Sequence, residues 1–166
     1  MDKYIKQIKI ASNVGLWTSL AVGLAVVVFV LVSDYRFYMD NRSFQYFMYV
    51  GLAAAVLDMA WVLFLVRRRI PQLRQLDSLG SKFKGYAALV RGIYYVTMGV
   101  VVVESAIIVL SNNNRLIMFL LLIMLLLFLN FPNIYKIKVD LGLDDAQMRT
   151  LFGSDYISDS DEKPEA

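Results

Sequence analysis

"YAALVRGIYYVTMGVVVVESAIIVL", residues 86–110, is apolar for almost its whole length, yet it carries Glu104 near its far end. A run of this length meets the roughly 20 apolar residues that a helix needs to cross hydrocarbon. Three more stretches, residues 11–32, 45–66 and 113–131, read the same way. The sequence therefore predicts an all-α, polytopic membrane protein, a bundle of four transmembrane helices over residues 1–132. The fourth is the shortest. Its apolar core, "LIMFLLLIMLLLFLNF", spans fully only if the helix begins before Leu116 and Arg115 snorkels to the interface. The first is too long, and lacks the small-residue cleavage site, for a removable signal peptide.

Composition supports this reading and removes several chemistries. Hydrophobic residues make up 58% of the chain, against about 45–50% in soluble domains. There is no cysteine and no histidine. Disulfides, thiolate nucleophiles, zinc-hydrolase motifs and Ser-His-Asp catalysis are therefore all excluded. "GSKFKG" lacks the spacing of a phosphate-binding loop, and no acid cluster suited to magnesium is present. No enzyme, cofactor or metal site is expected. Behind the net charge of +3, the cations sit largely beside the apolar runs and five of the 14 acids fall in the last dozen residues, which argues against nucleic acid and for the lipid bilayer as partner.

Lysine and arginine in the short loops predict orientation. Lys3, Lys6 and Lys9 precede the first span, the connection over residues 67–85 opens with Arg67, Arg68 and Arg69, and Lys136 and Lys138 follow the fourth span. The other two connections are balanced or nearly neutral. Both termini and the 67–85 loop are thus expected in the cytoplasm, and the membrane is expected to be the plasma (inner) membrane. Within that loop, "IPQLRQLDSLG" reads as a short interfacial helix opened at Pro71 and stopped at Gly80. Arg67, Arg68, Arg69 and Arg74 are its candidate lipid-headgroup contacts, beside the ordinary topogenic role of positive charge.

After Pro132 a short amphipathic cytoplasmic segment is expected over residues 133–153. Residues 134–143 fit strand alternation and a helical face equally. Asp144 is placed to cap a helix bearing Met148, Leu151 and Phe152 on one face and ending at Gly153. Residues 154–166 read as a disordered acidic tail. A loose similarity between "SDYRFYM" and "SNNNRLIM", each following a span that leaves the cytoplasm, hints at paired hairpins.

Ala11, Gly15, Ser19 and Gly23 recur every four residues and form a groove in which another backbone can approach closely. Gly51, Ala54 and Ala55 make a similar face on the second helix, and it leads to Asp58. On the third helix, Thr97 shares a side with Glu104. A mid-helix Asp disfavours insertion by about 2.5–3.5 kcal/mol, cancelling roughly six good apolar residues. Glu104 therefore has three open explanations: a protonated acid hydrogen-bonded to Thr18, Ser19 or Thr97, a contact with a cation of a partner protein, or a site of proton or cation traffic. Helical rise puts Asp58 about 13 Å from the cytoplasmic edge and Glu104 nearer the outside, so the two are expected at different depths. The fourth helix offers no small face, and its Leu and Met content predicts lipid contact. Together these residues point to a non-enzymatic accessory or assembly subunit with a membrane protein partner. The alternative is a homo-oligomeric proton- or cation-coupled transporter or channel.

Overall fold

A computed structural model of the protein describes residues 2–32, 41–111 and 116–153. Among these residues there are six helices and no strand: α1 (Asp2–Val32), α2 (Asn41–Arg74), α3 (Leu79–Ser111), α4 (Leu116–Leu129), α5 (Ile134–Leu141) and α6 (Asp145–Phe152). Helices α1, α2 and α3 are each long and apolar enough to cross a membrane, and α4 with α5 adds a fourth span if the bent pair is one element. These long apolar helices make the chain a membrane-embedded helical protein with three to four spans. Taken alone, the 14 residues of α4 reach only about 21 Å, short of the ~30 Å hydrocarbon layer. The residues expected to complete the fourth span lie outside the described residues, as does the tail at 154–166.

The order of packing is not the order of the chain. Helix α3 is central: α1 packs most intimately on it, α2 lies on its other side, and α4 touches all three, while α1 and α2 scarcely meet. The small face of α1 explains the first contact. Ala11, Gly15, Ser19 and Gly23 are all buried. A Cβ on Gly15 would stand 2.9 Å from Tyr94 Cβ, and one on Gly23 would stand 2.7 Å from Met124 Sδ. Glycine at both positions is what lets α3 and α4 close against α1. Tyr94 then ties the pair together, donating its hydroxyl to the Leu127 carbonyl at 3.0 Å.

Three expectations are corrected. The 67–85 connection is helical except for residues 75–78, because α2 continues to Arg74 and α3 begins at Leu79. Pro71 sits inside α2 and opens no separate helix. It falls in the last turn and a half, so only one helical hydrogen bond is lost, and the continued helix buries Ile70 and Leu73 against Phe83 and Tyr86. Gly80 likewise stops nothing. It lies in the first turn of α3, while Gly85 one turn on leaves space for Leu73, whose side chain occupies the position of a Cβ there. Finally, α4 is more than a lipid-facing helix. Leu116, Leu120, Ile123 and Leu127 form a buried stripe at helical spacing, and the exposed side is left to Met118, Leu121, Leu125 and Phe128.

At the end of the bundle that carries the basic clusters, α5 and α6 build a small second layer. The undecided stretch at 134–143 is helix. Asn133 caps it by accepting from the Lys136 amide, and Gly142 closes it in the left-handed region, with the Leu143 amide reaching back to the Lys138 carbonyl. Strand alternation lost because these local caps satisfy the backbone at both ends and turn Ile137 and Leu141 together into the core. Asp144 caps α6 as expected, in a full capping box with Gln147. Arg74 anchors the layer, donating to the Val139 and Asp140 carbonyls at 2.9 and 3.1 Å, where the helix dipole favours a cation. Tyr86 adds a 2.8 Å bond to Asp140.

Candidate functional site: two carboxylates on one helix interface

Asp58 and Glu104 both face the seam between α2 and α3. The antiparallel register puts Thr97 opposite Asp58 and Gly51 opposite Glu104, so the two sites repeat after seven residues on each helix. That spacing is two turns, about 10 Å along the seam. The acids stand at different depths on a shared face.

Asp58 is 4% exposed. Its Oδ1 accepts from Thr97 Oγ1 at 3.2 Å, whereas its buried Oδ2 has no hydrogen-bond partner among the described residues. The residue lines a groove that opens sideways between the two helices, walled by Ala54, Leu57, Trp61, Val96 and Val100. Leu57 and Val96 are exposed at its lips. This is a half-satisfied carboxylate set in the floor of an apolar trough on the flank of the bundle.

Glu104 is 0% exposed, and neither of its oxygens has a partner among the described residues. The carboxylate lies against the bare backbone of Gly51: a Cβ there would come within 2.9 Å of Oε2 and 3.4 Å of Leu116 Cδ2. Around it Ala55, Val101, Ile108 and Leu116 form an apolar cluster. Glycine at position 51 therefore makes room for the acid as well as for the helix.

Thr97 is the clearest departure from the sequence reading. It shares a helix side with Glu104, but its hydroxyl turns across the seam to Asp58. Ser19 is buried with its hydroxyl unpartnered, and so is Ser105 beside Glu104. Thr18 is exposed. None of the three residues proposed as donors to Glu104 reaches it. Of the packing residues, Gly51 and Ala55 are buried and Ala54 sits at the groove wall. Among the basic residues, Arg67, Arg68 and Arg69 are exposed, and Arg68 lies over the Phe64 ring, 5.7 Å from its centre. Tyr94, which fills the groove at Gly15, carries no signal in the sequence, because it belongs to a different helix from the groove.

An unpartnered carboxyl in a water-poor interior is costly. Either carboxyl can hold a proton, and Asp58 keeps one buried acceptor oxygen beside the lateral groove. No family model, no curated protein and no solved structure matches this chain.

Proposed function

We propose that this is a non-enzymatic protein of the plasma (inner) membrane, with four spans and both termini cytoplasmic, serving as an accessory or assembly subunit for another membrane protein. The observation that carries the reading is the Asp58 trough. A buried carboxylate oxygen that has no partner among the described residues, beside a lateral apolar groove, is suited to one helix of a partner that presents a hydrogen-bond donor or cation at the same depth. The small face of α1 serves a different purpose, since it is consumed in packing against α3 and α4. The orientation rests on the distribution of lysine and arginine.

Extraction from the native membrane in a mild detergent is expected to yield a complex with a second membrane protein in fixed ratio. Filling the groove with Val96→Trp, or removing the charge with Asp58→Asn, should release that partner from a still-folded chain. A partner retained by both variants would overturn the reading.

One observation favours a reading of a different class. Glu104, with both oxygens unpartnered two turns from Asp58, has the placement of a proton or cation site in a homo-oligomeric transporter or channel. In that case the extracted complex contains this chain alone, liposomes carrying it dissipate a pH or sodium gradient, and Glu104→Gln abolishes the flux. Absence of flux under either gradient removes this alternative.

A further inference from the structure

A binding site of another kind lies at the basic end of the bundle. Two cavities flank the first half of α1 and share Ile5, Lys9, Asn13 and Phe152. One continues along Lys6, Ile10 and Val14. The other runs beneath the α4–α5 corner at Phe131 and Ile134, where the chain bends by 75°. Together they make a furrow about three turns long along α1.

Its walls change character along its length. Among the described residues, Lys6 and Lys9 are the charged ones that line the cavities, and no carboxylate lines either. At the inner end lie the exposed apolar side chains of Ile10 and Val14, and Trp17, 67% exposed, follows on the same helix. The furrow thus runs from a cationic end toward the apolar length of α1.

Several other cations at this end are already engaged. Arg74 is held by the carbonyls of α5, Lys136 by the Leu129 carbonyl, Lys82 by the Leu141 carbonyl, and Lys138 by Asp145 at 2.7 Å. Lys6 and Lys9 are exposed, and neither ammonium is engaged by another described residue. A water-soluble anion would leave the apolar half of the furrow unused, and a neutral lipid would leave the lysines unused. An anionic amphiphile uses both.

We propose that this furrow binds an anionic phospholipid, with its phosphate on Lys6 and Lys9 and an acyl chain along Ile10 and Val14. The site is independent of the Asp58 trough, so either can fail without the other. The test reconstitutes the full chain in nanodiscs of phosphatidylcholine with a minor fraction of phosphatidylglycerol, transfers it to mild detergent, and counts retained lipids by native mass spectrometry. A single phosphatidylglycerol is expected to remain. Lys6→Gln with Lys9→Gln should lower its retention on the order of thirtyfold, the equivalent of two headgroup attractions of ordinary size. Lys6→Arg with Lys9→Arg should keep it, which shows that the chain still folds when both positions are changed. Replacing Arg67, Arg68 and Arg69 by Gln should leave it in place. Equal retention of phosphatidylcholine and phosphatidylglycerol, no retained lipid, or equal loss in the arginine variant would overturn the proposal.

Discussion

Asp58 and Glu104 occupy the same seam two turns apart, yet their surroundings differ in almost every respect. Asp58 has one hydroxyl donor and lies in a groove open to the flank. Glu104 has no donor among the described residues and lies against Gly51 and Leu116. The contrast shows that a carboxyl group inside a membrane bundle is defined by what the facing helix presents at its level. A threonine opposite makes a polar contact, while a glycine opposite makes only space. The first borders a lateral groove, and the second lies wholly inside the bundle.

The strongest way to break this comparison is to break the frame that holds α3. Gly15→Leu should push α1 away from Tyr94 and destabilise the bundle by about 3 kcal/mol, the upper range for overpacking. Gly99→Leu, on the same seam-bearing helix but with open space around it, should change stability little. Unfolding in mixed micelles separates the two, and equal effects would show that the α1–α3 contact does not govern stability.

A smaller effect is expected at the sealed acid. Gly51→Ala should destabilise by about 1–3 kcal/mol through overpacking. In the background of Glu104→Ala most of that loss should disappear, because the nearest obstructing atom is then gone. A double-mutant cycle reads this directly, with a coupling of about 0.5 kcal/mol or more between contacting residues. Strict additivity would mean that Gly51 does not make room for the carboxylate.

The smallest effect is expected at the hydroxyls. Thr97→Val removes the donor to Asp58 and should destabilise by about 0.6 kcal/mol, with an upper bound near 1.7, as for other hydrogen bonds between membrane helices. Ser105→Ala removes a buried hydroxyl that has no partner and should be neutral or stabilising, since an unsatisfied group is lost. If Ser105→Ala proves as damaging as Thr97→Val, the distinction between a satisfied and an unsatisfied seam residue fails.

Much of the architecture is legible before any coordinates. The spans, the small face of α1, the Asp144 cap and the burial of both acids are properties of one helix at a time. They follow from composition, a 3.6-residue period and the energy of placing a charge in hydrocarbon. Each of these signals is carried by residues within a few turns of one another. The same locality explains the errors. Pro71 looks like a helix start when only its own backbone is considered, but burial of Ile70 and Leu73 against α3 outweighs one missing hydrogen bond. The stretch at 134–143 satisfies two periods, and only its caps and the core beneath it select helix.

Which helix faces which is a different kind of information. Sequence spacing places Thr97 and Glu104 on one side of α3, but it carries no register for α2, and the antiparallel register is what hands Thr97 to Asp58 and Gly51 to Glu104. In the same way, no periodicity announces that α3 is central, that α4 buries a leucine stripe, or that α1 and α6 leave a furrow lined by Lys6 and Lys9. Membrane location and helix identity are additive over residues, so one chain read in order suffices for them. Seams, grooves and partners depend on pairs of surfaces distant in the chain, and they exist only once the helices have packed.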